Sequence, residues 1–470
     1  MIDRRRVPPV LLVLVCAVLP AAASAGRREE IVRKFEKTVA LKPGQGLSID
    51  HKSGDIQVRT HKAAEARISA RIRGSSSDEE EIRKFVDAVA IEVESGSSRV
   101  SVRTVYPEKS WKFPGGGQVS FSVDYEVLLP ESSPLEVRNR FGNVSIEGLK
   151  AAADIKNANG RIQSRDGRGT QRLENAFGPI DATGIQGDVT LVDANGSVTA
   201  ADIDGALDVR NRFGRVSAVK VTRGVRIVNG NGEVQVTDCA GATTVENSFG
   251  NVQVRNVKGN ATVENTNGPV MVTGVSGAVS VRGSFGAMDL SDLGGPLEVR
   301  NANATVRVHD IRGSATVKTS FGMVDCARIE GDLGVENANA SVRASDVRGA
   351  ASVRTSFGPV SLDGVGGRVR VDNQNGSIDV RVIGNRKGKD CPAVDLKTSF
   401  GPIRVTLPDE TGWTVDARTS FGHIRADVPI TVAGSRSTES VQGKIGDGGC
   451  PLTLTNSNGS IDILKGQGKK

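Results

Sequence analysis

Residues 245–268 read V-E-N-S-F-G-N-V-Q-V-R-N-V-K-G-N-A-T-V-E-N-T-N-G, one full unit and the start of the next. Phe-Gly recurs with Phe at 141, 177, 213, 249, 285, 321 and 357, a step of 36 residues. Asn159, Asn195, Asn231, Asn267, Asn303, Asn339 and Asn375 stand halfway between, so the period is 18, with Phe and Asn taking turns at one position. A fixed period this short is the signature of a solenoid. Within the unit, Val245, Val252, Val254, Val257 and Val263 alternate with polar residues in short runs, which reads as strands. Helical-hairpin repeats need about 30 residues or more, so that architecture is excluded. The expectation is an all-β chain: a single-stranded parallel β-helix, each coil bonded to the next about 4.8 Å away. Coil starts from Val137 to Leu454 number 17, which gives a rod on the order of 80 Å long. The general preference of parallel crossovers makes it right-handed.

The corners have their own chemistry. Asn recurs two residues before the Phe/Asn position, at 139, 157, 175, 211, 229, 247, 265, 301, 337, 373 and 456. Stacked inward, these amides can satisfy corner backbone groups that would otherwise be buried unpaired. Val245, Asn247 and Phe249 lie at i, i+2 and i+4, so strict alternation points all three inward, with Phe filling volume at the corner. The following Gly supplies a sharp turn of positive φ, although Ala304 and Ala340 replace it twice.

Residues 1–25 have the form of a secretory signal: Arg4–Arg6, an apolar run over 10–19, and Ala23-Ser24-Ala25 before Gly26. The run is too short to span a membrane. Cys16 follows Val15, where a lipidation site wants a small residue. Residues 26–135 read as an N-terminal capping region. It holds a first coil over 47–58, a helix over 78–90 opened by the capping box Ser77-Asp78-Glu79-Glu80, and strands near 98–104 and 118–129. A cap is expected because an open β-helix end exposes unpaired strand edges. Residues 136–383 are the regular β-helix, and 384–470 are irregular coils with longer loops at 383–392 and 433–451. Those loops are the part of the rod best suited to a specific function.

The entry V-L-L-P-E-S-S-P-L-E-V-R-N-R-F-G-N-V-S-I-E-G, the N-x-N-G and S-F-G corners, and the closing T-S-F-G-H-I-R-A-D-V-P and L-T-L-T-N-S-N-G-S-I-D-I resemble the DUF4097 family of adhesin-like proteins. The resemblance covers essentially all of the chain after the signal. It implies an exported β-helix, with some relatives linked to envelope stress, and it brings no catalytic residues to carry over.

Net charge is +7, and loss of residues 1–25, with Arg4, Arg5, Arg6 and Asp3, lowers it to +5. The outward row Arg138, Lys156, Glu174 and so on to Arg354 has mixed signs, apart from the basic run Arg282, Arg300, Lys318. It reads as a solvated face or as a contact for an anionic envelope polymer. Nucleic acid is not the expected partner of an exported chain with few exposed aromatics.

Cys239 and Cys326 take inward Val positions. Cys391 and Cys450 each precede Pro and can clip the C-terminal loops, although coil order sets them two coils apart. Asp166, Asp202, Asp238, Asp292, Asp310 and Asp346 recur at the second corner, as turn residues or, less simply, calcium ligands. His51, His61, His309 and His423 are scattered, with no zinc-ligand spacing. Catalytic, cofactor-binding and metal-ligating residues are therefore assigned to none, and no cofactor is expected. The functional expectation is a non-enzymatic, exported protein of the periplasm or cell surface, adhesin-like or a scaffold. Its partners are an envelope polymer, a glycan, a protein or itself. A carbohydrate-active lyase or glycosidase working beside the 384–451 loops is the alternative, and an accessory role in envelope stress a weaker one.

Overall fold

The structure, a computed structural model, describes residues 30–107, 119–383, 392–409, 411–432 and 437–466. The signal segment 1–25, Cys391, the loop 384–391 and Lys469-Lys470 lie outside the described residues. Within them the chain is an all-β solenoid. Its 18-residue coils make about 14 turns over the regular stretch, and the strands sort into two facing sheets. Register is kept residue for residue: Val245 pairs with Val263, Asn247 with Asn265 and Phe249 with Asn267. On the second sheet Val252 pairs with Val270 and Val257 with Val275.

The apolar residues of the repeat form the core. Val245, Val252, Val254, Val257 and Val263 are all fully buried. Each such side chain contributes about 1.5–3 kcal/mol, and the same layer repeats at every coil. Cys239 and Cys326 are buried free thiols in that core, and burial pushes the Cys326 thiol up to about 12.

Both ends depart from chain order. At the N-terminal end the coil made by Gly46–Asp50 and Ile56–His61 stacks directly on Leu135–Phe141 and Val144–Glu147. On its other side it pairs with Arg99–Val105 and Ser120–Pro130. The first coil in sequence is thus the second layer in space. The outer layer is closed by antiparallel strands, Ala90–Ser95 on one sheet, Glu65–Ser75 and Ile31–Ala40 on the other. The helix Glu79–Ala88 packs there through Ile82, Phe85 and Val86. Its N-cap is Asp78, whose side chain accepts from the Glu81 amide at 3.0 Å, so the capping signal acts one residue later than the Ser77 reading.

At the other end the coil made by Cys450–Asn458 and Ile461–Lys465 slots between its predecessors. It pairs with Val394–Phe400 on one side and Trp413–Phe421 on the other. The region 437–449, expected to be loop, contains the strand Ser440–Ile445, which closes the end by pairing antiparallel to Trp413–Phe421. Because Val394 pairs with Leu452, Cys450 is one layer from residue 392 rather than two. Cys450 is disulfide-bonded.

Candidate functional site: two corners of the coil

The buried Asn column sets the geometry of the first corner. Asn175 Nδ2 donates to Gly178 O of its own corner at 2.8 Å and to Gly160 O of the preceding coil at 2.8 Å. Asn265 does the same with Gly250 and Gly268, at 2.9 Å each. Neighbouring amides also link along the axis, Asn229 to Asn247 at 3.1 Å and Asn247 to Asn265 at 3.2 Å. At Gly160 the stack leaves no room for a side chain: a Cβ there would stand 2.1 Å from Gly142 O, and its φ is 121°; Ala304 and Ala340 show that the corner admits a methyl elsewhere. Ala304, at φ 153°, keeps the positive φ without being glycine.

This geometry corrects the reading of Phe as an inward residue. The ring at every ladder position stands half in solvent, from 47% exposed at Phe213 to 76% at Phe421. Alternation stops at Asn247, because the chain is already turning into Gly250 (φ 114°). The amide fills the interior, and the ring two residues later is carried outside the edge. Nine phenylalanines, 141, 177, 213, 249, 285, 321, 357, 400 and 421, therefore line one edge of the rod. In between stand Asn side chains that are half-exposed or exposed.

Alternation survives the irregular end. Asn458 pairs with Phe400 on one side and with Phe421 on the other. Stacking in chain order would have set Phe400 beside Phe421. Beside the ladder, a trough of about 530 Å³ runs over Ala302, Ser320, Ala338 and Ser356, bordered by Arg300, Lys318, Glu336 and Arg354.

The opposite corner is built from backbone conformation. Asp166, Asp202, Asp238, Asp292, Asp310 and Asp346 all have φ between 51° and 61°. Aspartate tolerates this left-handed region better than most side chains. Lys220, Asn256 and Arg328 hold the same conformation at equivalent places; Lys and Arg carry no left-handed signal in the sequence, whereas Asn256 does. Neighbours along this column pair: Asn256 Nδ2 with Asp238 Oδ1 at 2.9 Å, Arg328 Nε with Asp310 Oδ1 at 2.6 Å, Lys220 Nζ with Asp202 Oδ1 at 3.4 Å. The Arg328 guanidinium and His309 hold the Asp310 carboxyl well below the usual range. Among the described residues no group of three His, Cys, Asp or Glu could hold a metal ion.

Buried titratable groups also stand in the N-terminal coil and in the clamp column itself. His51 is 3% exposed, its Nδ1 is 3.0 Å from Thr104 Oγ1, and Thr104 in turn is 2.6 Å from Tyr125 OH. Burial lowers the His51 pKa to about 4 and raises that of Tyr125 to about 12. Asp193 occupies an Asn position of the clamp column at 4% exposure, and desolvation raises it to about 6, against the backbone amides of Ala194 and Asn195.

The family model of Toastrack DUF4097 matches residues 47–464. No curated protein matches the sequence. Among solved structures, one described as a "putative cell adhesion protein" from Clostridium sporogenes is 8% identical; the match covers 92% of this chain and 100% of that one, with a TM-score of 0.16. Among the described residues no helix is long and apolar enough to cross a membrane.

Proposed function

The chain belongs to the Toastrack DUF4097 family, and on that premise we propose that it is an exported, non-enzymatic cell-envelope protein, adhesin-like or a scaffold, that works by presenting a stiff extended surface. The observation that carries this reading is the half-exposed Phe ladder, held in register along the rod by a buried column of amides. Single exposed phenylalanines need no partner, but nine of them held at one edge in alternation with Asn form a regular surface feature. The signal-like segment 1–25 supports export. The acids of the second corner argue for the non-enzymatic part: Asp310 is tied to Arg328 and held ionised, which is wrong for a general acid at neutral pH.

The test is co-sedimentation of the purified protein with fractionated envelope material, alongside electron microscopy of the protein alone. Retention by one fraction supports the adhesin-like role, and ordered end-to-end or side-by-side assembly supports the scaffold. A protein that stays monodisperse and is retained by no fraction sinks both.

A further inference from the structure

We infer that the Phe/Asn edge is a binding track for an extended β-1,4-linked polysaccharide, one ladder step of Phe and Asn meeting two sugar rings. The inference rests on the adhesin-like reading and gives it a ligand class. Strand spacing sets successive coils about 4.8 Å apart, so the phenylalanines repeat at about 10 Å. In an extended β-1,4 chain alternate rings are flipped, so the same sugar face returns at every second ring. A disaccharide has about the same length as two coils. Each Phe can then stack on the apolar face of an equivalent ring, as aromatic side chains do with flat, half-apolar partners. The Asn step meets the flipped ring. Asn159 and Asn267 spend their amide NH on backbone carbonyls of the coil below, Arg140 O at 3.3 Å and Ser248 O at 3.5 Å, which keeps Oδ1 as an acceptor for sugar hydroxyls.

Two observations favour this occupant. The alternation is preserved where chain order would break it, through Asn458 between Phe400 and Phe421, so the pattern belongs to the surface and not only to the repeat. A second copy of the chain is a poorer fit: each ring offers about half of its 150–250 Å², in islands about 10 Å apart, without the continuous desolvated core a stable dimer needs. Next to the central ladder the charges are already paired, Lys318 with Glu336 at 3.0 Å and Arg300 with Glu298 at 2.8 Å, so the track selects by ring spacing more than by charge.

The experiment compares the purified protein with a Phe249→Ala/Phe285→Ala/Phe321→Ala variant, using chitin oligomers, polymannuronate, and the α-linked polymer dextran as probes. Circular dichroism and the melting temperature establish that the variant is folded. Calorimetry is expected to show binding to both β-1,4 probes, strengthening as the oligomer grows by two rings at a time, with dextran inert. The variant should lose about tenfold or more of the apparent affinity, since linked contacts multiply. The two β-1,4 probes should bind with similar affinity and little dependence on salt. Equal binding of dextran, or undiminished β-1,4 binding by the folded variant, overturns the track. So does a dimer of the native protein that the variant converts to monomer, which would make the ladder a self-association surface. If envelope material is retained but no β-1,4 probe binds, the ligand class is wrong and the adhesin-like reading stands; if nothing is retained, both fall.

Discussion

The two corners of each coil solve the same problem in different ways. At the Phe/Asn corner a buried amide grips the turn from inside, donating to the glycine carbonyls of two successive coils. At the Asp corner the turn is made by residues held at positive φ, and the side chains pair with each other in solvent. The first arrangement leaves the outer surface free to carry rings. The second uses its outer surface up in ion pairs, which at this exposure are worth little each. A clamp in the core is expensive to lose, whereas a solvated corner is tolerant.

The widest gap between the corners should come from Asn265→Ala. It leaves the Gly268 carbonyl without its buried amide donor and the Gly250 carbonyl with only the longer bond from Asn247, 3.4 Å, at about 2–3 kcal/mol. Urea unfolding should show it as a fall in midpoint. A cost below about 0.5 kcal/mol would mean that the amide column is ornamental.

Asp193→Asn sharpens the comparison from the other direction, by returning an amide to the column. A gain of about 1–2 kcal/mol at neutral pH is expected. The pH dependence carries the sign. The folded pKa of Asp193, about 6, lies above its ordinary 3.8, so its contribution is fully present below pH 3.8 and lost as pH rises through 6. The advantage of the Asn variant should therefore shrink on acidification from pH 7 to pH 4. His51 acts in the opposite sense. Its folded pKa of about 4 lies below 6.5, so stability present above pH 6.5 is lost as pH falls towards 4. Only the difference between native and variant melting curves isolates Asp193.

Ala304→Gly should stabilise by about 1 kcal/mol, because Ala304 holds φ 153° in a region that glycine alone enters freely; a calorimetric melting scan reads it. The smallest effect belongs to the second corner. Asp238→Gly keeps the left-handed turn (φ 58°) and gives up one exposed hydrogen bond to Asn256, so its melting curve should move by no more than about 0.5 kcal/mol. A loss as large as that of Asn265→Ala would erase the distinction between the corners.

What could be read beforehand follows the same division. The coil, its period and the clamp column are local patterns, visible because Val245 with Asn247, and Val252 with Val254, are spaced by two, recur every 18 residues and bury accordingly. The direction of Phe249 was misread, because alternation assumes that a strand continues, and the chain turns at Gly250. Left-handed Lys220 and Arg328 gave no warning, since their conformation is imposed by the coils on either side. The exchanged layers at both ends are long-range facts. One clue was in plain view: Phe400 and Phe421 follow each other without an Asn step, and the missing partner, Asn458, comes later in the chain.

That exchange has a mechanical side. A coil at the free end of an ordinary stack touches one neighbour, and a pull on the chain peels it away bond by bond. Here the strand Cys450–Asn458 is gripped on both edges, by Val394–Phe400 and by Trp413–Phe421. Tension applied beyond residue 465 must draw it out from between two layers, loading both rows of hydrogen bonds together. Trp413–Phe421 in turn cannot dock until residues 450–458 have been made and inserted. The end of the rod is thus built as a splice.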